Sequence, residues 1–87
     1  MPEISRFFGI IITMFYGDHD PPHFHVFYEG EKSKINILTG EVMEGNISRR
    51  ALRLVQDWIE LHNDELIDTF EKIKKQETNW KKIEPLK

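Results

Sequence analysis

The spacing of apolar residues changes once along this chain, at Ser48, from a period of about two residues to one of about 3.6. In a strand, alternate side chains leave opposite faces, whereas on a helix one face recurs every three or four positions. The switch therefore divides the chain into a sheet part at 1–47, a helical part at 48–77 and a tail at 78–87, all within a single domain of 87 residues. Strands followed by helix predict an α+β domain. The expected form is an antiparallel sheet of three to four strands, with one long kinked helix or two helices packed on one face.

Within the sheet part, the segment from about Arg6 to Tyr16 turns Phe8, Ile10, Ile12 and Met14 one way and Phe7, Ile11 and Phe15 the other. Apolar residues on both faces predict a central strand. Gly17 to Pro22 breaks the pattern. A second strand is expected from His23 to Glu29, a turn at Gly30-Glu31, and a third strand from Lys32 to Leu38. Thr39-Gly40-Glu41 then turns into a short fourth, Glu41 to Glu44. In the helical part, Ala51, Leu52, Val55, Trp58, Ile59, His62, Leu66, Phe70 and Ile73 form one stripe. Ser48 is a suitable N-cap, and Lys72, Lys74 and Lys75 suit the negative end of the helix dipole. His62-Asn63-Asp64-Glu65 carries cap-type residues and marks a kink, or a break into two helices, since one straight helix of this length would overhang a small sheet. The tail, Trp80 to Lys87, mixes apolar anchors with charge, and Pro85 stops any further helix.

A chain of this length is near the lower limit for a self-sufficient core, which leaves room for stabilisation by a partner or by oligomerisation. It contains no cysteine. Disulfides and thiolate metal sites are thereby excluded, and a reducing cytoplasm is the expected compartment. Phe7 to Tyr16 is about half the roughly 20 residues needed to cross a bilayer. Neither a membrane span nor a secretory leader is expected. The net charge of −3 is uneven, with three Lys/Arg against seven Asp/Glu up to residue 47 and nine against eight beyond it. Such a balance argues against tight, sequence-independent binding to duplex nucleic acid, which needs many cations on phosphates.

Chemistry concentrates in Asp18 to His25, DHDPPHFH, which holds three of the four histidines. His23 and His25 leave the same face of a predicted strand, about 6–7 Å apart. As a metal site, they need a third ligand from His19, Asp18 or Asp20 and leave a position for water, as catalytic zinc does. No other cofactor is expected, and a divalent ion such as zinc belongs to this reading alone. As an acid/base pair, the two imidazoles titrate near neutral pH and suit cleavage of an RNA phosphodiester by its own 2′-hydroxyl. Arg49 and Arg50 would then hold the phosphate: two arginines in a first helical turn oppose the dipole, a cost that a bound anion offsets. As a structural loop, Pro21-Pro22 stiffens the backbone while the aspartates and histidines bond to neighbours. His23, emerging straight after Pro-Pro, is expected to be the accessible imidazole, and His25 the deeper one.

The segments MPEISRFFGIIITMFY, DHDPPHFH, LTGEVMEG, SRRALRLVQDWIELHNDELIDTFE and KKIEPLK together resemble the small bacterial domain of unknown function 4160 family. D-H-x-P-P-H-F-H is the specific signature. Some members are DhiT-type toxins of type II toxin–antitoxin pairs, so the resemblance implies a bacterial cytoplasmic protein with a cognate small protein encoded beside it. It carries over Asp18, His19, Pro21, Pro22, His23, Phe24, His25, Arg49 and Arg50 as signature positions without assigning them a chemistry. Where the family has Leu-Pro before the two arginines, this chain has Ile47-Ser48. The resulting expectation is a toxin-like, RNA-directed component; the alternative is a non-enzymatic binding or regulatory module acting through a partner protein.

Overall fold

The computed structural model describes residues 2–87, and Met1 lies outside the described residues. Five strands, β1 (Glu3–Phe7), β2 (Ile10–Thr13), β3 (His23–Tyr28), β4 (Glu31–Asn36) and β5 (Val42–Gly45), precede one helix, α1 (Arg49–Lys74). The strands form a single sheet in sequence order, each antiparallel to the next. The architecture is α+β as expected, with five strands rather than three to four.

The extra strand comes from the apolar run, which is a hairpin and not one central strand. Phe7 pairs with Ile10, so Phe8-Gly9 is a two-residue turn, and its φ values of 50° and 80° match the doubly positive turn whose twist suits antiparallel strands. Glycine adopts this conformation freely, while Phe8, 60% exposed, sits there at some strain. The sequence reading followed hydrophobicity through the turn because Phe8 continues the apolar pattern while lying outside the core. Only the second half of the run, β2, is a central strand, flanked by β1 and β3.

One face of the sheet is dry. Ile4, Ile10, Ile12, Phe24, Val26, Ile35 and Ile37 are buried there against Ala51, Val55, Trp58, Leu66, Phe70 and Ile73 of α1. Trp58 is fully buried and stacks near Phe7 and Phe24, with ring centroids 5.2 and 5.8 Å away. Ser48 caps the helix as expected, its Oγ accepting from the Ala51 N–H at 3.1 Å. The backbone leaves helical geometry at His62 (φ −127°, ψ 25°) within a 26-residue element. A straight helix of that length would run about 39 Å, beyond the 32 Å longest dimension of the molecule. The bend returns the second half to the sheet, where the Asn63 side chain donates to the Ile37 carbonyl at 3.1 Å.

The tail packs. Ile83 is 4% exposed, its N–H donates to the Ile4 carbonyl at 3.0 Å, and the Glu84 carbonyl accepts from Trp58 Nε1 at 2.8 Å. It thereby covers part of the β1 edge, which would otherwise be free to pair with another chain. The opposite face of the sheet carries no helix. Register places Ile11, Thr13, His25, Phe27, Lys32 and Lys34 together on it.

Candidate functional site

The loop between β2 and β3 is tied down at two points near its β3 end. The Pro22 carbonyl accepts from the Ile37 N–H at 2.9 Å, and Asp20 is paired with Lys74 of α1 at 3.2 Å. These anchors press the signature segment between the end of the sheet and the last turns of the helix. His23 opens β3 there, with its ring 5.5 Å from that of Phe70.

The side chains of Asp18, His23 and His25 converge. Asp18 Oδ2 lies 3.1 Å from His23 Nε2 and 3.3 Å from His25 Nε2, and the two rings are 5.4 Å apart, edge to face. On its other side, His23 Nδ1 lies 2.8 Å from the Pro21 carbonyl oxygen. A carbonyl only accepts, so Nδ1 carries a proton, and in the neutral form of the ring the lone pair is at Nε2. That Nε2 is buried and, despite its closeness to Asp18, has no aligned hydrogen bond. Burial pushes the His25 imidazole below its ordinary pKa, partly opposed by the hydrogen bond and charge of Asp18 and reinforced by His23 and Lys34. His25 is therefore neutral at pH 7.

Burial reverses the expected order of the histidines. His23 is 3% exposed, whereas the His25 side chain is 21% exposed. His23 is covered because the loop folds back over the start of β3 and Phe70 closes it from the helix, while His25 stands on the uncovered face. There it lines a concavity of about 240 Å³ with Phe15, Phe27, Lys32, Lys34 and Glu44. Phe15 lies against the imidazole at a ring distance of 4.1 Å. Lys34 is the cross-strand partner of His25 and rests 3.6 Å from Glu44.

Three donor groups are thus brought together, those of Asp18, His23 and His25, and all three lie within 4.8 Å of one another. They are the residues able to hold a metal ion. His19 is exposed, and Asp20 is engaged by Lys74 instead. Arg49 and Arg50 are exposed in the first turn of α1, next to Ile47 and Ser48, which lie beside Tyr28 and Glu29 at the far end of β3. The five-residue climb from His23 to Tyr28 spans about 17 Å, so the arginines stand apart from the histidines. The cation beside His25 is Lys34, which sequence reasoning missed. Lys32 and Lys34 alternate with Ser33, a pattern that could have placed both on one face with His25 once the β3–β4 register was known.

These features define a one-sided α+β domain with an aspartate–histidine–histidine cluster at the edge of its open sheet face. The chain belongs to the family described as Domain of unknown function (DUF4160), which matches residues 9–71, well over half of it. The matched segment contains the whole cluster, whereas β1 and the tail that docks on it lie outside. No curated protein and no solved structure matches the chain significantly. Among the described residues, no helix is long and apolar enough to cross a membrane.

Proposed function

We propose that the protein is the toxin-like component of a bacterial toxin–antitoxin pair and acts on RNA through the open face of its sheet. The observation that carries this reading is the pairing of His25 with Lys34 across β3 and β4, in a concavity walled by Phe15 and Phe27. Lysines at 32 and 34 neutralise phosphates, and aromatic rings stack on unpaired bases. His25, kept neutral by burial, accepts a proton from a ribose 2′-hydroxyl, the group that distinguishes RNA from DNA. Lys34 takes the phosphate-holding part first assigned to Arg49 and Arg50. Its partner Glu44 is largely exposed and 3.6 Å away, so releasing the lysine to a phosphate costs little. The acidic net charge of −3 fits a single-stranded target better than a duplex.

Expression of the chain alone and together with the small protein encoded beside it tests the reading. Growth arrest with RNA loss in the first case and rescue in the second is expected, and Lys34→Glu should abolish the arrest while leaving the fold intact. Unimpaired growth and intact RNA, with tight binding to the neighbour, would instead make the chain a binding module without enzymatic activity.

A further inference from the structure

We propose that Asp18, His23 and His25 bind one divalent transition-metal ion, of which zinc is the reference case, with a further coordination position open towards the concave face of the sheet. The inference rests on the cluster geometry and does not depend on an RNA target; an ion and a 2′-hydroxyl proton compete for the single lone pair of the His25 imidazole, so an occupied site leaves His25 no part as a base.

Hydrogen bonding explains the cluster incompletely. The Pro21 carbonyl fixes one His23 proton on Nδ1, so the ring in its neutral form turns a buried lone pair towards a carboxylate oxygen 3.1 Å away. Two electron-rich atoms at that distance repel unless a cation stands between or beside them. A proton on Nε2 would need a near-linear N–H···O bond, yet His23 Nε2 has no aligned partner. Ligands of one metal behave differently: each lone pair points at the common centre, so neighbouring donors are close but misaligned with each other, as His23 Nε2 and Asp18 are, whereas His25 and Asp18 are also placed to share a hydrogen bond.

The distances agree with that arrangement. Bonds of about 2.0–2.2 Å to nitrogen and oxygen in a tetrahedral zinc site separate adjacent donors by about 3.3–3.5 Å. The Asp18–His25 contact of 3.3 Å meets that separation, and the Asp18–His23 contact of 3.1 Å is slightly shorter. The bond from Nδ1 to a backbone carbonyl is also the usual outer-shell support of a metal-bound histidine, which fixes both its tautomer and its orientation. Thr13, the cross-strand partner of His25, has a buried hydroxyl without a partner, so unfilled polar capacity lies beside His25. Two imidazoles and one carboxylate suit zinc, iron(II), nickel or manganese and disfavour magnesium and calcium, which prefer all-oxygen shells. His25 and Asp18 are the partly exposed ligands, with side chains 21% and 26% accessible, so ion and water enter from the open face.

Calorimetric titration of the chelator-stripped 87-residue chain with zinc chloride, and in parallel with magnesium chloride, tests the site. One zinc per chain and no comparable magnesium binding are expected. Because a His23 variant can fail to fold, the decisive substitutions are Asp18→Asn and His25→Gln, each expected to weaken zinc binding by at least the ~10–100-fold typical of losing even an outer-shell partner. His19→Ala and Asp20→Asn should bind as the wild type does. Cobalt(II) should give the visible absorption of a low-coordinate ion, lost in His25→Gln. Absence of saturable zinc binding up to about 1 mM, far weaker than protein metal sites hold their ions, overturns the proposal, and so does binding that Asp18→Asn and His25→Gln leave unchanged. Growth plays no part in these readouts, so the site and the RNA-directed reading can fail separately.

Discussion

His23 Nε2 and Asp18 Oδ2 lie 3.1 Å apart although seven-residue-spaced His25 shares the same carboxylate oxygen at 3.3 Å. One buried and one partly exposed imidazole thus depend on a single acidic side chain from the preceding loop. His23 is held on three sides, by Asp18, the Pro21 carbonyl and the Phe70 ring, while His25 is open to the concavity.

That asymmetry sets the stability order of the histidines. His23→Ala removes a buried ring and its bond to the Pro21 carbonyl, at a cost of about 2–4 kcal/mol. His25→Ala, at a partly exposed position, should cost about 1 kcal/mol or less. Urea unfolding of the two variants against the wild type provides the comparison, and equal destabilisation would contradict the burial difference.

The pH dependence of the metal-free protein follows from His25. Burial lowers its folded pKa below the ordinary 6.5 against the opposing pull of Asp18, with His23 and Lys34 adding to the lowering. The unfolded chain therefore takes up the proton first, so stability is complete above pH ~6.5 and declines as pH falls through the folded pKa. Unfolding in chelator at pH 7.5 and 5.5 should show a loss in the wild type that is smaller in His25→Gln. A larger loss in the variant would mean that the Asp18 charge outweighs burial.

Deleting residues 80–87 should destabilise the fold by about 2–4 kcal/mol. The deletion exposes the surface that Ile83 covers, a burial worth about 1.5–3 kcal/mol for such a side chain, and removes the Glu84 carbonyl that accepts from Trp58 Nε1, leaving a buried donor unpaired. Thermal melts of the truncated chain, combined with the Trp58 fluorescence shift, measure both effects. An unchanged melting temperature would show that the tail contributes no net stability.

Gly45→Ala should loosen β5. Gly45 has φ +84°, and a Cβ there would collide with the Lys32 carbonyl oxygen across the strand pair. The strained backbone alone costs about 1–3 kcal/mol, and the collision adds to it. Faster amide hydrogen exchange in 42–45 is the specific readout, because Gly45 pairs with Ser33 at the wall of the concavity. Wild-type exchange rates would rule the collision out.

Much of the architecture was readable from local pattern. The period change at Ser48, the serine cap and the stripe Ala51–Val55–Trp58–Ile59–Leu66–Phe70–Ile73 correspond to α1 as found, because amphipathic spacing and capping are properties of neighbours in sequence. His62-Asn63-Asp64-Glu65 likewise marked the bend. Phe8-Gly9 was misread because a solvent-exposed phenylalanine in a turn looks, in sequence, like one more core residue.

By itself the sequence determined that strands precede a helix, that no thiolate chemistry is available, and that titratable groups crowd into DHDPPHFH, all of which follow from composition and short-range spacing. Only the tertiary structure decided which groups meet. Folding of the loop over β3 buried His23 and left His25 open, the return of α1 drew Asp20 away to Lys74, and the β3–β4 register put Lys34 beside His25 while leaving Arg49 and Arg50 at the far end. Those contacts join residues from separate elements, up to 54 positions apart in the case of Asp20 and Lys74, and they exist only once burial of the shared core has fixed how the helix lies on the sheet.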